Sequence, residues 1–267
     1  MTFAAVVVLY NRACADSPTC CALTKLADPD VSVLIYDNST SDYGNREACV
    51  RNGWVYLGGT GNLGISKAYN ACIDHLMDGH QTDLVCLFDD DTQLDPSYFA
   101  MLRQAKERSD ARIFVPMIFA AGTLISPSLL KPGHRVSLFA NQQEAAAYTG
   151  RELTAINSCM AIDLRIFETF RYDEAIFLDG VDHHFTSRMQ EKGETIQTFP
   201  YCCDHGFSGT EKPPKQSALV RFRIYAKDYK YILRQEKAAY WRLVGKRALR
   251  LTVQYRSLAF LKTLFQT

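Results

Sequence analysis

Short apolar runs alternate with helix-forming segments through the first 115 residues of this 267-residue chain. Runs typical of buried strands lie at residues 6–10, 31–36, 54–57, 84–88 and 113–115. Segments with a helical pattern lie between them, near residues 19–26, 61–77 and 96–107. Because parallel strands are joined by helical crossovers, this rhythm predicts an α/β protein with a mainly parallel, doubly wound sheet.

Polar side chains stand directly after three of the predicted strands. Asn11 follows the first strand, residues 37–39 (Asp-Asn-Ser) end the second, and residues 89–91 (Asp-Asp-Asp) end the fourth. Ligands of doubly wound sheets bind beyond the carboxyl ends of the strands, so we expect these clusters to converge on one site. Asp37 could contact a base or a ribose there, although a helix cap or an Asx-turn explains the residue equally well.

The acidic triplet after the fourth strand is the strongest local signal. Asp89, Asp90 and Asp91 repel one another unless a cation or solvent compensates their charge. Carboxylate oxygens are hard ligands that suit Mg²⁺ or Mn²⁺, and these ions in turn bind diphosphates. A solvated acidic turn that caps the helix beginning near residue 96 is the alternative interpretation.

A glycine-rich segment, residues 58–64 (GGTGNLG), leads into a helix that carries Lys67 and Asn70. Glycines allow the backbone to approach a ligand closely, and the N-terminus of a helix favours phosphate. The segment matches neither a P-loop nor a GxGxxG motif. Taken alone, it is explained as well by an ordinary turn.

Two more segments contain candidate site residues. Residues 177–193 (FLDGVDHHFTSRMQEKG) place Asp179 and Asp182 around a glycine, before an amphipathic helix that Asp182 could cap. The segment DHGFSG places His205 in a glycine loop after a predicted strand, where the histidine could complete a metal shell. His183 and His184 are expected to pack or to lie on the surface.

The middle of the chain, residues 120–150, contains Gly and Pro but shows no regular periodicity. Long segments of this kind often act as lids or acceptor loops. We therefore expect an irregular, mobile segment that orders over bound substrates.

Basic residues are concentrated at the C-terminal end. Thirteen of the 30 Lys and Arg residues, but only two of the 29 acids, lie after residue 214. A basic tail on an acidic body suggests an anionic partner. Interleaved basic and apolar residues are typical of an amphipathic helix in a membrane interface. The alternative is that the tail packs on the body or forms a homo-oligomer contact.

Cysteine usage and hydropathy suggest the compartment. The nine cysteines show no CxxC spacing of the kind that binds zinc, so we interpret them as reduced thiols of a cytoplasmic protein. No apolar run reaches the length of a transmembrane helix, so none is predicted.

In this order and spacing, several segments resemble the family 2 glycosyltransferases of the GT-A fold, and among them the bacterial rhamnosyltransferase-like proteins. The resemblance extends over residues 6–208 and is carried by VVLYNR, DNST, GGTGNLGISKAYN, FDDD, FLDGVDHHFTSRMQEKG and HGFS. It implies a GT-A catalytic domain over residues 1–212, with a nucleotide-sugar half over 1–115 and an acceptor half over 116–212. Residues 213–267 would then form a basic amphipathic helical tail.

The resemblance also implies a role for each matching residue. The donor side of the pocket would contain Asn11, Asp37, Asn38, Asn62, Gly64, Lys67, Asp89 and Asp90. Within this set, Asp37 would contact the base or the ribose. Asp89 and Asp91 match the outer acids of the family's D-x-D motif and would hold Mn²⁺ or Mg²⁺. His205 matches a histidine that reaches the metal or the diphosphate.

The catalytic base is assigned less clearly by the resemblance. Asp182 falls where the family's Glu-Asp motif places the base, but Val181 stands where that motif has Glu. A second acid, Asp179, lies three residues before Asp182. The assignment therefore stays open between Asp182 and Asp179.

The implied reaction is an inverting transfer of a sugar from dTDP-rhamnose or a UDP-hexose to a hydroxyl of a glycan acceptor. That acceptor is expected to be lipid-linked, which places the enzyme at the cytoplasmic face of a bacterial membrane, in O-antigen or capsule synthesis. Sugar nucleotidyltransferases share the nucleotide-binding sheet, but this chain shows no Gly-Arg-Lys loop after its first strand. A nucleic-acid-binding protein is the other rival, and the acidic body and the aromatic residues of the tail argue against it.

Overall fold

The computed structural model describes residues 1–79, 82–204 and 213–266. The strands are β1 (Phe3–Leu9), β2 (Val31–Asp37), β3 (Val55–Gly58), β4 (Leu84–Asp89), β5 (Ile113–Ala120), β6 (Thr123–Ser126), β7 (Ser128–Lys131), β8 (Arg135–Leu138), β9 (Leu153–Thr154), β10 (Met160–Asp163) and β11 (Ile196–Asp204). The helices are α1 (Pro18–Thr24), α2 (Asn45–Asn52), α3 (Ile65–Met77), α4 (Ser97–Glu107), α5 (Gln142–Ala147), α6 (Val181–Glu191), α7 (Lys215–Ile232), α8 (Lys237–Tyr240), α9 (Lys246–Tyr255) and α10 (Ala259–Gln266). A π-helical segment, Trp241–Gly245, joins α8 to α9.

Within the described residues the central sheet has eight strands, of which seven follow the order β11-β5-β10-β4-β1-β2-β3 and β6 pairs with β5. The pairs β1–β2, β1–β4, β2–β3 and β5–β11 are parallel. β10 runs antiparallel between β4 and β5, and β6 is antiparallel to β5. The predicted α/β fold with a mainly parallel sheet is confirmed.

The side chains of β1 alternate between two apolar cores. Ala4 and Val6 belong to the core that contains the buried faces of α3 and α6. Phe3 and Val7 belong to the core that contains those of α1 and α4. A strand that is buried on both faces needs an apolar residue at every position, which is why β1 reads as an unbroken apolar run.

The strand register aligns the carboxyl ends of four strands at one edge of the sheet. Leu9 of β1 lies opposite Asp37 of β2, and Asp37 lies opposite Gly58 of β3. On the other side of β1, Val8 lies opposite Asp89 of β4. The polar residues that follow these strands therefore begin at the same edge.

Residues 120–150 are not irregular, so that part of the expectation was wrong; the ordering of this segment over bound substrates stays a prediction. They contain β6, β7, β8 and α5, and β7 pairs antiparallel with β8 and with β9 in a separate small sheet. Each of β6, β7 and β8 has only four residues, which is too short for an alternating pattern to stand out. The turn between β7 and β8 contains Pro132 and Gly133, two residue types that the sequence analysis interpreted as signs of a long loop.

The C-terminal helices pack together around a third apolar core. Phe222 and Tyr225 of α7 contribute to it, with Val244 of the π-helical segment, Ala248 of α9 and Phe260 of α10. The tail therefore packs on itself and, through α7, on the body of the protein. Among the described residues, no helix has both the length and the apolar character needed to cross a membrane.

Candidate active site

A cleft of about 850 Å³ opens at the carboxyl ends of β1 and β4, and we call it the β1–β4 cleft. Six of the predicted site residues line it, namely Asn38, Asn62, Gly64, Asp89, Asp90 and Asp91. The rest of the lining includes Phe177 and Leu178, from the segment that contains the candidate bases, and three residues of α7 that were not predicted site residues, namely Val220, Arg221 and Ile224. The fold thus brings together three segments of the nucleotide-sugar half with residues of the supposed tail.

The turn that carries the acidic triplet is held by two buried hydroxyl groups near α1. The hydroxyl of Thr19 donates to the carbonyl oxygens of Asp89 (2.6 Å) and Thr92 (3.0 Å). The hydroxyl of Ser17, which also caps α1, donates to the carbonyl oxygen of Asp90 (2.6 Å). Because these bonds fix the backbone, the carboxylates project from a rigid turn.

The three acids of the triplet differ in their surroundings. Asp90 accepts a hydrogen bond from the guanidinium of Arg12 at 3.1 Å, and both side chains are partly exposed. Burial raises the pKa of Asp90 to about 6; Arg12 opposes the shift, and Asp91 and Asp89 add to it. The middle acid is therefore neutralised by the protein, which fits the outer acids, Asp89 and Asp91, as ligands of a cation.

A divalent cation at this place would take only part of its coordination shell from the protein. Among residues 1–79, 82–204 and 213–266, no three His, Cys, Asp or Glu side chains form a group that could hold a metal ion. Mg²⁺ commonly uses one or two carboxylates and completes its shell with phosphate oxygens and water. The outer acids of the triplet fit that pattern. His205, the third predicted ligand, lies outside the described residues.

The ends of β1 and β2 are joined through Asn11. Its backbone is in the left-handed region, with φ of 50°. The side-chain oxygen of Asn11 accepts hydrogen bonds from the backbone amide and the hydroxyl of Thr40, each at 3.0 Å. The backbone amide of Asn11 donates to the hydroxyl of Ser39 at 2.9 Å. Asn11 therefore shapes the loop at the edge of the sheet.

Asp37 is buried, and its carboxylate is engaged by the protein. It accepts hydrogen bonds from the amide of Ser39 (3.0 Å), the side-chain amide of Asn45 (3.0 Å) and the phenol of Tyr56 (3.2 Å). Asp37 nevertheless lines a second cavity of about 540 Å³ at the ends of β2 and β3, which we call the β2–β3 cavity. The local alternative of an Asx-turn at Asp37 agrees with the bond from Ser39.

Tyr56 and Arg46 also line the β2–β3 cavity, although the sequence pattern did not indicate either residue. The guanidinium of Arg46 lies 4.6 Å from the centre of the Tyr56 ring. Burial and the neighbouring Asp37 raise the pKa of Tyr56 to about 12, so its phenol stays protonated and donates to Asp37. The cavity therefore offers an aromatic ring and a cation beside backbone glycines.

The glycine-rich segment is tied to both sides of the β1–β4 cleft. The side-chain oxygen of Asn38 accepts a hydrogen bond from the amide of Leu63 (2.8 Å), and that of Asn62 accepts one from the amide of Gly64 (3.0 Å). Gly64 has φ of 90°, and a Cβ atom there would lie 2.7 Å from the ring of Phe177 and 2.8 Å from its carbonyl oxygen. Glycine is therefore required where this segment meets residue 177.

The first turns of α3 hold the segment that precedes α6. The amide of Ile65 donates to the carbonyl of Phe177 (2.8 Å), and the hydroxyl of Ser66 donates to that of Ile176 (2.6 Å). Asn70 exchanges two hydrogen bonds, both of 2.9 Å, with the backbone of Tyr172. Lys67, predicted on the donor side, points instead to solvent and is not among the described residues that line either cavity.

Neither candidate base is among the described residues that line the β1–β4 cleft, although Phe177 and Leu178, which precede them in the chain, do line it. Both oxygens of Asp179 are bound by the guanidinium of Arg221, one of them at 2.9 Å, and the Asp179 side chain is only 13% exposed. Arg221 itself reaches the cleft. Asp179 is therefore a neutralised acid rather than a free one.

Asp182 lies in the first turn of α6, and Gly180, not Asp182, occupies the N-cap position. Among the described residues, the only hydrogen bond that its carboxylate accepts comes from the amide of His183, at 2.7 Å. Burial raises the pKa of the Tyr69 phenol, and the charges of Asp89 and Asp182 both add to that shift. The carboxylates of Asp182 and Asp89 are therefore near the same buried phenol.

The histidines beside Asp182 have packing roles, as expected. His183 shares a hydrogen bond of 2.8 Å between its Nδ1 and the hydroxyl of Thr154 in β9. Burial lowers the pKa of His184. The bond between His183 and Thr154 joins α6 to the small sheet.

No family model matches the sequence, and no curated protein matches it either. Solved structures do match the fold. GalNAc-T7 with UDP, GalNAc and Mn²⁺ has a TM-score of 0.59 and 13% identity over 86% of this chain and 50% of that chain. The mannosyltransferase PcManGT from Pyrobaculum calidifontis, in complex with GDP-Man and Mn²⁺, has a TM-score of 0.59 and 14% identity over 98% and 71% of the two chains.

A third match is S. aureus TarS 1-349 in complex with UDP-GlcNAc, with a TM-score of 0.55 and 13% identity over 99% of this chain and 80% of that chain. These similarities, together with the sheet order and the C-terminal helices, show that the chain has the GT-A fold. This chain spans half of the GalNAc-T7 chain that it matches.

Proposed function

We propose that this protein is a nucleotide-sugar-dependent glycosyltransferase. The observation that carries the proposal is the acidic triplet on a rigid turn, which lines one cleft together with Asn38 and the glycine-rich segment. Structural neighbours of the same fold were solved with UDP and Mn²⁺, with GDP-Man and Mn²⁺, and with UDP-GlcNAc. Fold alone does not define activity, so the residues of the site carry the argument.

The donor would span the two cavities. The base and ribose would occupy the β2–β3 cavity, where Tyr56 and Arg46 offer stacking and charge and Asp37 orders the wall. The diphosphate would lie in the β1–β4 cleft, near Asp89 and Asp91. Because both the triplet and a diphosphate are anionic, the two can share the cleft only with a cation between them.

Asp89 and Asp91 would hold that cation, which we propose is Mn²⁺ or Mg²⁺. When bound, such an ion neutralises the charge that develops on a leaving nucleoside diphosphate. Arg12 contributes by neutralising Asp90, so that the middle acid does not compete with the outer two. Phe177 and Leu178 form an apolar wall that reduces the access of water to this part of the cleft.

The base would be Asp182 and the transfer would be inverting. Asp179 has both oxygens bound by Arg221, whereas among described residues the Asp182 carboxylate accepts a single backbone hydrogen bond. Asp182 would remove the proton from an acceptor hydroxyl as that oxygen attacks the anomeric carbon from the face opposite the diphosphate. A positioned base contributes roughly 10²–10⁴-fold to the rate.

The acceptor would be a lipid-linked glycan, and the donor dTDP-rhamnose or a UDP-hexose. The donor follows from the sequence resemblance, whereas the lipid-linked acceptor is supported by the C-terminal surface. Five large apolar side chains are exposed there, namely Trp241, Leu249, Val253, Leu258 and Phe265. Residues 237–266 contain seven Lys or Arg residues and no acid. An apolar and basic surface of this kind would attach the enzyme to the cytoplasmic face of an anionic membrane, where O-antigen or capsule precursors are extended.

The decisive experiment is a screen of nucleotide sugars for donor hydrolysis and transfer, with Mn²⁺, Mg²⁺ or excess EDTA. We expect cation-dependent turnover with one donor class, and loss of most of it in Asp91→Ala. Asp110→Ala is the matched control, since Asp110 is an exposed acid before β5, at the opposite end of the sheet. Full activity in EDTA would exclude the metal. Release of pyrophosphate from a nucleoside triphosphate and a sugar phosphate would indicate a nucleotidyltransferase instead.

A further inference from the structure

One face of α7 holds Asp179 at two points. Arg221 binds the side-chain oxygens of Asp179, and Asp228 accepts a hydrogen bond from its backbone amide at 2.8 Å. Asp228 is seven positions after Arg221 in α7, so the two side chains lie about two helical turns apart on the same face. The acid is therefore fixed by its backbone and by its carboxylate at the same time.

Asp228 binds more than one amide of this segment. Its Oδ1 accepts a hydrogen bond from the amide of Phe177 (2.9 Å), and its Oδ2 accepts one from the amide of Leu178 (2.9 Å) in addition to that of Asp179. Three consecutive amides that converge on one anion form a backbone nest. The carboxylate thus replaces the partners that these amides would have in a regular element of secondary structure.

The carboxylate of Asp228 is buried, so its charge must be compensated by hydrogen bonds. Asp228 is 0% exposed, and burial raises its pKa although all three amides oppose the shift. A buried carboxylate is unfavourable unless hydrogen bonds compensate it. Removing it would leave three amides without their acceptor, so the position tolerates little else.

The segment that Asp228 fixes forms one wall of the β1–β4 cleft. Phe177 and Leu178 line the cleft, and Phe177 also meets Gly64 and accepts the hydrogen bond from Ile65 on the far side. Gly180, which follows Asp179 in the chain, packs closely against Tyr229 and Ile232 of α7. The wall is therefore held between the start of α3 and the face of α7, directly before α6, whose first turn contains Asp182.

We propose that Asp228 is a positioning residue for sugar transfer. It sets the backbone of residues 177–179, and through it the cleft wall and the start of α6, relative to the acidic triplet. The inference rests on the proposed function. It also makes α7 part of the active site rather than part of a detachable tail.

Asp228→Asn tests the inference, because the change preserves shape but replaces one acceptor oxygen with a donor. We expect the Kd for the nucleotide sugar with Mn²⁺ to change little, since the ends of β1–β4 are untouched. We expect kcat for transfer to fall on the order of 10²-fold, as for small misplacements of reacting groups. Amides 177–179 should exchange hydrogen faster than in the wild type.

Asp163→Asn is the matched control, since Asp163 is only 3% exposed and binds Arg165 at the opposite end of the sheet. It should lower the Tm as well but leave kcat unchanged. If Asp228→Asn does not fold, Arg221→Gln serves instead, because Arg221 is 45% exposed and holds the other end of Asp179. Because Arg221 also lines the β1–β4 cleft, this variant is measured at saturating donor, where it should still lose kcat.

The outcomes separate the two proposals. If the wild type transfers sugar and Asp228→Asn transfers equally well, the positioning role is overturned and the glycosyltransferase stands. A parallel loss of kcat in Asp163→Asn would also overturn it, because the effect would then follow stability alone. A wild type that binds no nucleotide sugar would overturn the proposed function and this inference with it.

Discussion

The hydroxyl of Thr19 donates a hydrogen bond to the carbonyl oxygen of Asp89 at 2.6 Å, and Thr19 is fully buried. The start of α1 is thereby joined to the turn that carries the acidic triplet. Thr19→Val keeps the shape of the side chain but leaves the carbonyls of Asp89 and Thr92 without this donor. We expect a loss of about 1–3 kcal/mol in the free energy of unfolding. Urea denaturation measures it.

Thr24→Val is the control for that variant. The hydroxyl of Thr24 donates to the carbonyl of Cys20 within α1, and its side chain is exposed, so the loss should be much smaller. Thr19→Val should also weaken the response of the protein to Mn²⁺, while Thr24→Val should not. Equal midpoints for the two variants would contradict the role given to Thr19.

Asp182→Asn and Asp179→Asn together identify the base. Asp182→Asn preserves size but removes basicity, so donor binding should survive while transfer falls roughly 10²–10⁴-fold. Asp179→Asn should weaken the ion pair with Arg221 and give a smaller loss. Product formation and donor affinity are measured on both variants. Normal transfer by Asp182→Asn, with collapse in Asp179→Asn, would reverse the assignment.

Gly64→Ala and Gly61→Ala form a matched pair in one loop. Both glycines have positive φ, 90° and 93°, but a Cβ at Gly64 would collide with Phe177, whereas at Gly61 it would meet nothing within 4 Å. Gly64→Ala should therefore cost about 1–3 kcal/mol more in unfolding free energy, the usual penalty of overpacking. Donor affinity should fall in the same variant, because Gly64 lines the cleft. Identical unfolding curves would refute the collision.

The partly buried side chains of His134 and His184 should make the free energy of unfolding depend on pH. Burial lowers the pKa of His184 and of His134 below the ordinary value of 6.5. The unfolded chain therefore binds protons first as the pH falls, so their contribution is present above pH 6.5 and is lost below it. The double variant His134→Asn, His184→Asn should lose less stability than the wild type between neutral and mildly acidic pH. Parallel denaturation midpoints across that range would exclude this linkage.

Vesicle co-sedimentation tests the membrane surface. Binding to phosphatidylglycerol vesicles should occur at low salt and weaken with added salt, since each basic residue near an anionic leaflet contributes about 1 kcal/mol. Val253→Ser should reduce binding, whereas Val50→Ser should not. The two valines are 78% and 76% exposed, but Val50 lies on α2, away from the basic surface. Equal recovery with anionic and neutral vesicles would argue for a contact between copies of the chain instead.

The sheet could be predicted from sequence because its central strands are buried on both faces. β1 and β4 read as unbroken apolar runs, and the polar residues after them marked the edge of the sheet at which the β1–β4 cleft opens. The small antiparallel sheet could not, because its strands are four residues or shorter and lie among Gly and Pro. Periodicity needs a longer window than these strands provide.

Single residues were harder to predict than elements. Lys67 and Asn70 are three residues apart in α3 and therefore only about 60° apart around the helix, yet Lys67 is exposed and Asn70 is buried against the segment before α6. Tertiary packing, which the sequence pattern does not show, decides which of the two meets that segment. Asp228 could have been noticed, since it is one of only two acids among thirteen basic residues after residue 214. An acid in so basic a segment is a sign of a specific partner.

The antiparallel insertion of β10 between β4 and β5 bears on the order of assembly during synthesis. β5 is made long before β10, yet β10 is the strand that joins β5 to β4. On the ribosome, β1 to β4 can pair as they emerge, while β5 must wait for residues 160–163. The residues of α7 that line the β1–β4 cleft are synthesised later still, after β11. A nascent chain therefore exposes its acidic triplet well before α7 is made, and the β1–β4 cleft is complete only once α7 has been synthesised.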